Sequence, residues 1–325
     1  MKRRQVNWLL AAAACAGIAG APMFGAGHAV AQEKKTLALV TNASADFWTI
    51  ARRGTEKAAA ELPNYNIEMY VISEATAAEQ RRVLDDLLTR GVAGVSISAI
   101  DPANSNDILN RVAEQAVLFT TDSDAPDTNR ALYIGTDNVA AGVEAGELIK
   151  KSLPDGGRIM LFVGTTGAAN ARERIEGIRT SLEGSNVEII DVRTDEVDFA
   201  RAKRNVEDTL TTYPDIAALV GLYSYNTPQI VEAVRAAGVQ GEVKVIGFDE
   251  DPVTLRGIAD GIVDATVVQQ PFEFGYQSMK LLAQAIEGDT SFIPDDKLMI
   301  IPTRVIDPSN VEEFRAEMSA MLSGQ

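Results

Sequence analysis

The residues able to do chemistry in this 325-residue chain are carboxylates, amides, hydroxyls and arginines, because cysteine and histidine are nearly absent. The single Cys and single His are Cys15 and His28, both inside the first 31 residues. Without that segment there is no cysteine nucleophile, no Ser-His-Asp relay, no imidazole base and no His/Cys zinc site. Disulfides are excluded with them. Two apolar runs end in acids: Thr120-Thr121-Asp122-Ser123-Asp124 and Gly247-Phe248-Asp249-Glu250-Asp251. A carboxylate at such an end orients a polyol by accepting hydrogen bonds from adjacent hydroxyls. The plainer alternative is a helix cap, with Asp249 capping the helix that holds Leu255 and Ile258. Asp124 and Asp251 are expected to face solvent. Phe47 and Trp48 follow the first apolar run, where rings either stack on sugar C–H faces or staple a helix to the core. The stretch Gly164 to Arg174 is Gly-rich but lacks the Lys-Ser/Thr of a phosphate-binding loop. In it, Asn170 and Arg172 are placed to reach a ligand, while Arg174 reads as an intrahelical ion-pair partner. Asp122-x-Asp124-x-x-Asp127 lacks the glycine and the terminal Glu of a calcium loop and reads as a solvated acidic turn.

These residues need elements to position them. Nine apolar, β-type runs recur from Thr36: 37–40, 67–72, 92–97, 116–119, 159–163, 187–190, 217–220, 243–246 and 265–268. Helix-period segments separate them, such as Ala77 to Arg90, with Val83, Leu84, Leu87 and Leu88 on one face and Gly91 as its stop. Near-continuous apolar strands between helices predict parallel sheets covered on both faces. The alternation runs twice, from Thr36 to about Tyr133 and from about Arg158 to Gln269, with a helix capped within Thr136-Asp137-Asn138 between the two series. The expected fold is α/β, two Rossmann-like lobes of similar size, with a ligand cleft at the carboxyl ends of their strands. The tail from Pro308 reads as one helix that Asn310 caps.

Composition narrows the partners. The chain is 46% hydrophobic, ample for a buried core, and its formal charge of -16 repels nucleic acid. Lys2, Arg3 and Arg4, an apolar stretch from Trp8 to Phe24, and Ala29-Val30-Ala31 form a three-part export signal over residues 1–31. Lipid attachment at Cys15, in Ala12-Ala13-Ala14-Cys15, is the alternative processing; an uncleaved membrane anchor is disfavoured by Pro22 and the Gly/Ala content. No later stretch is long and apolar enough to cross a bilayer. A periplasmic location is expected. No cofactor, metal site or catalytic residue is expected.

In this order, six stretches resemble the periplasmic sugar-binding proteins of ABC transporters, of the ribose-binding type (type I periplasmic binding proteins). They are Asp46-Phe47-Trp48, Tyr133 to Asn138, Asn170 to Gly177, Tyr225-Asn226, Val245 to Asp249, and Thr266 to Pro271. The resemblance covers about Thr36 to Val305. It implies that Phe47 and Trp48 stack on the ligand and that Asp122, Arg172, Asp249 and Gln269 bond it. Thr41, Ser98, Thr136, Phe199, Tyr223 and Asn226 fall near further pocket positions. It also implies lobes of discontinuous segments, 36–136 plus 270–302 and 137–269 plus 303–325, joined by three hinge strands crossing near Thr136, Gln269 and Thr303. The implied function is capture of a monosaccharide, a pentose, hexose or related polyol, by a monomer that delivers it to an ABC permease. The alternative is a sugar sensor that docks on a chemoreceptor or sensor kinase. Ser123 and Ala45 stand where the ribose type carries Arg and Asn, and Tyr223 to Asn226 replaces a short Asn-Asp pair, so ribose itself is not implied. A lactose-repressor-type regulator lacks support, since an export signal stands in place of a helix-turn-helix. A glycosidase built on Asp122 and Asp249 is the remaining enzymatic alternative.

Overall fold

The computed structural model describes residues 34–323; the expected export signal and Cys15 lie outside the described residues. In the first half, β1 (Lys35–Val40), β2 (Tyr65–Tyr70), β3 (Gly94–Ile97), β4 (Val117–Thr121) and β5 (Leu132–Gly135) alternate with α1 (Asp46–Glu61), α2 (Ala77–Thr89) and α3 (Pro102–Gln115). After α4 (Asn138–Ser152) the pattern repeats with β6 (Gly157–Val163), α5 (Ala169–Leu182), β7 (Val187–Thr194), α6 (Phe199–Thr212) and β8 (Ile216–Gly221). It continues through α7 (Asn226–Ala237), β9 (Lys244–Phe248), α8 (Pro252–Ala259), β10 (Ala265–Val268) and α9 (Pro271–Ile286). Two short strands, β11 (Leu298–Ile300) and β12 (Arg304–Ile306), precede α10 (Val311–Ser323).

The strands form two six-stranded sheets of matching order, β11-β5-β4-β3-β1-β2 and β12-β10-β9-β8-β6-β7. All pairings are parallel except that of β12 with β10. Burial on both faces explains the continuous apolar strands. In β1, Leu37 and Leu39 face the layer under α1 and α9, while Ala38 and Val40 face the layer under α2 and α3. The second sheet is sandwiched likewise, with Ile159, Leu161 and Val163 under α4 and α5, and Met160 and Phe162 toward α6, α7 and α8. Local signals agree with this packing. The Thr76 side chain accepts from the Glu79 N–H to start α2, and Gly91, at φ 70°, follows its end.

The chain passes between the sheets three times. β5 lies in the first sheet, but α4 packs on α5, β9 and β10; β10 lies in the second, but α9 packs on α1, β1 and β3. The third passage joins β11 to β12.

Three strands were not anticipated. β11 and β12 are three residues long, too short to show a period, and β5, four residues, falls where the first series was expected to end. β2 also starts and stops two residues before the expected run. Ile72 is buried, but its N–H is donated to Thr41 Oγ1 and leaves the ladder. Asn310 precedes α10, yet its carboxamide turns backward, donating to the Val305 carbonyl and accepting from the Asp307 N–H.

Candidate functional site

The carboxyl ends of the central strands of both sheets meet at one cavity, with about 550 Å³ free of atoms. On the first lobe, Phe47 and Trp48 open α1 and pack edge to face, ring centres 5.1 Å apart. Trp48 Nε1 donates to Asn42 Oδ1 at 3.0 Å, and Asn42 Nδ2 donates to Asp122 Oδ2 at 3.1 Å. Ser98 Oγ, at the end of β3, donates to the same Asp122 oxygen at 2.6 Å. Asp122 is 4% exposed and follows β4 with φ 60°, a left-handed conformation costly for a residue bearing Cβ.

The second lobe answers with matching parts. Asp249 follows β9, the counterpart of β4 in sheet order, and its φ is 67°. Gln269, just past β10, donates from Nε2 to Asp249 Oδ1 at 2.9 Å. Asn170, in the first turn of α5, donates to Asp122 Oδ2 at 3.4 Å and accepts from the Tyr223 hydroxyl at 3.1 Å. This bond links the two lobes directly. One turn later Arg174 is 1% exposed, its guanidinium 4.6 Å above the Phe248 ring. Its Nε donates to Asn138 Oδ1 at 3.0 Å and its Nη1 to the Leu222 carbonyl at 2.6 Å. Its Nη2 is buried with no partner, and Arg174 lines the cavity.

Burial dominates the electrostatics. It pushes the Asp122 carboxyl above its ordinary range and the Asp249 carboxyl up to about 6, opposed in both cases first by the Arg174 charge. Behind the lining, Asp195 is also pushed up to about 6 by burial, although it accepts from the Tyr225 hydroxyl, the Val197 N–H and Asn226 Nδ2. A cavity with one guanidinium, two buried carboxyls, amides and aromatic faces is built for a neutral molecule rich in hydroxyl donors and acceptors. Among the described residues no three His, Cys, Asp or Glu side chains are grouped to hold a metal ion.

Of the residues singled out in the sequence, Phe47, Trp48, Asp122, Asn170, Tyr223, Asp249 and Gln269 line the cavity. Ser98 and Asn226 stand behind the lining, bonded to Asp122 and Asp195. Thr41 is buried in the loop after β1, donating to the Ala43 carbonyl. Thr136 is buried at the first passage between sheets, where its carbonyl accepts from the Tyr133 hydroxyl at 2.8 Å. Phe199 is 42% exposed and borders an outer crevice rather than the cavity, stacked on Tyr225 at 4.6 Å.

Four readings need correction. Arg172 is exposed outside the cavity and donates back to the Thr166 and Gly167 carbonyls. Arg174, read as an intrahelical ion-pair partner, is the cavity arginine. Helical phase is the reason: Asn170 and Arg174 are four apart and share a face, whereas Arg172 is about 200° from Asn170 around the axis. The acidic turn is solvated only at Asp127, for Asp122 is buried and Asp124 is 8% exposed, paired with Arg130 at 2.6 Å. Asp249 caps nothing: Asp251 is the cap of α8, accepting from the Val253 N–H, and is half-buried. Asn42 went unremarked, although an amide directly after an apolar strand was its signal.

The periplasmic binding protein domain matches residues 37–290, most of the chain. This chain belongs to the periplasmic binding protein family. It is 28% identical over 266 residues to the ribose import binding protein of Salmonella typhimurium, covering 80% of this chain and 87% of that one. It is 25% identical to the D-ribose/D-allose-binding protein of Pseudomonas aeruginosa, covering 94% of this chain and 99% of that one. Among solved structures, an ABC transporter solute-binding protein from Burkholderia graminis in complex with D-arabinose aligns with TM-score 0.80 and 26% identity, covering 85% of this chain and 96% of that one. Type I periplasmic sugar-binding proteins are thus the relatives of this fold, two parallel-dominated sheets flanked by helices. No helix of the described residues is long and apolar enough to cross a membrane.

Proposed function

We propose that this protein captures a monosaccharide or closely related polyol in the inter-lobe cavity, unchanged chemically, and delivers it to an ABC sugar permease from the periplasm. The observation that carries this reading is the pairing of Asp122 and Asp249, two buried carboxyls offered from matching strand ends of facing sheets with the free Nη2 of Arg174 beside them. Vicinal hydroxyls donate to the carboxyls and accept from the guanidinium, and Trp48 and Phe47 offer an aromatic wall to the C–H face. Relatives named for ribose, allose and arabinose support the ligand class. The three passages near 136, 269 and 303 are proposed as the hinge, with 36–136 plus 270–302 and 137–269 plus 303–325 as the moving lobes. Closure on the ligand then presents a joined surface to the permease.

The test is a titration of the chain lacking residues 1–31 with pentoses, hexoses, polyols and amino acids. Trp48 is then the only tryptophan, so its fluorescence reports on the cavity wall. One sugar that shifts both fluorescence and melting temperature, and is recovered unchanged after long incubation, is the expected result. Amino acids acting where every sugar and polyol fails would sink the proposal, and a hydrolysed glycoside would move it to the glycosidase reading.

A further inference from the structure

Glu250 follows Asp249 in the loop between β9 and α8, yet it does not line the ligand cavity. It is 4% exposed, and its carboxyl oxygens meet no hydrogen-bond donor beyond the backbone N–H of Glu250 itself. It borders a separate crevice of about 480 Å³, between the passage segment Gln269–Gln270, the first turn of α9, and Phe314 and Met318 of α10. Gln269 borders the same crevice, and its Oε1 is likewise buried without a partner. The amide is therefore secured on one side only, through the bond from Nε2 to Asp249 Oδ1.

Both residues border one crevice with unpartnered acceptors, Gln269 lining the ligand cavity as well, and acceptors do not bond without a donor between them. Arg304, the cation bordering the crevice, is engaged by Glu317 at 2.6 Å; a second crevice that Glu250 borders holds Arg315, engaged by Glu312 at 2.8 Å, and the exposed Arg256, and neither bonds the Glu250 oxygens. A proton on Glu250 supplies the donor at least cost, because a neutral carboxyl carries an O–H and avoids burying a charge. Burial first, then the adjacent Asp249, pushes the Glu250 carboxyl well above its ordinary range.

We infer that Glu250 is a positioning residue for the ligand cavity: as a neutral acid it donates its O–H to Gln269 Oε1 and fixes the amide that holds Asp249. The inference rests on the reading of that cavity as the sugar site. Its physical content is the orientation of one amide. Anchored by Glu250, Gln269 holds its N–H on Asp249; released, the amide is secured by that one bond alone and its N–H leaves the carboxylate more often.

Glu250→Gln, Glu250→Leu and Glu250→Met separate the possibilities, with the sugar found in the panel titration as probe. Glutamine retains a donor to Gln269, so its affinity stays within about two-fold of wild type. Leucine and methionine remove the donor and lower affinity roughly ten-fold, with no loss of melting temperature in the ligand-free protein. Equal affinity in all variants overturns the inference. So does a loss in Glu250→Gln as large as in Glu250→Leu, accompanied by a rise of wild-type melting on titration with NaCl or KCl, which would place a cation where we place the proton. Carboxyl carbon NMR of the ligand-free protein decides independently of any sugar. A neutral glutamic acid signal at neutral pH, absent in Glu250→Gln, is expected, and an ionised Glu250 overturns the inference. Failure of the wild type to bind any sugar, with that signal present, would instead count against the cavity reading alone.

Discussion

Arg172 and Arg174 are two residues apart on α5 and have opposite fates, which makes them a paired test of the cavity. Arg174→Ala leaves two buried carboxyls facing a ligand without their guanidinium and is expected to cost about 2–5 kcal/mol of sugar affinity. Arg172→Ala removes an exposed side chain bonded to its own loop and leaves affinity within about two-fold. Calorimetric titration of both variants checks the pair, and a larger loss in Arg172→Ala would reverse the assignment. Asp249 carries a second residue-scale prediction. Its folded value of about 6 lies above the unfolded one, so folding takes up a proton and the ligand-free protein loses stability as pH rises from about 4 through 6. Sugar hydroxyls favour the ionised form, so affinity falls as pH drops below about 6. Asp249→Asn is expected to raise the ligand-free melting temperature at neutral pH, weaken this dependence, to which Asp195 still contributes, and abolish binding. Melting curves of both proteins across that range test the sign.

At the scale of elements, both lobes use the same device to bring a helix close. Where α4 meets α5, a Cβ on Gly177 would sit 2.1 Å from the Val139 carbonyl oxygen, and one on Gly142 2.3 Å from that of Arg174. In the first lobe, Gly54 of α1 and Gly275 of α9 meet the Phe272 and Ala51 carbonyls in the same way. α4 and α9 are also the helices that follow the passages between sheets, so these contacts seat each passage on its receiving lobe. Gly177→Leu cannot be absorbed by side-chain motion, because the obstructing atoms are backbone. A loss of about 3 kcal/mol of stability is expected, read as a lowered denaturation midpoint. Gly177 lies on α5 with Arg174, so residual folded protein is expected to bind sugar weakly. Unchanged stability in this variant would contradict the packing described.

For the whole molecule, the matching strand orders of the two sheets place two carboxyls with left-handed backbone across one cavity. The bond from Asn170 to Asp122 joins the lobes directly. A sugar that bridges Asp122 to Asp249 and Arg174 adds inter-lobe contacts and shifts the population toward the closed form. Small-angle scattering is expected to show a smaller radius of gyration on addition of the sugar, and Asn170→Ala to widen the ligand-free distribution. Identical scattering with and without saturating sugar would refute closure.

The fold class and nine of the twelve described strands were legible in the amino-acid order, because a strand buried on both faces must be apolar throughout and a covering helix must be amphipathic. The same order also marked Phe47, Trp48, Asp122, Tyr223, Asp249 and Gln269, whose types and places after apolar runs are local signals. Packing settled which arginine enters the cavity, since α5 shows its inward face once Gly142 and Gly177 have fixed how it packs. The burial of Asp124 depends on Arg130, brought back by the fold of the turn. The partnerless oxygens of Glu250 depend on α10 and the start of α9 closing over them, segments far apart in the chain. β11 and β12 are too short to declare themselves, and exist because sheets built from distant residues offer them edges.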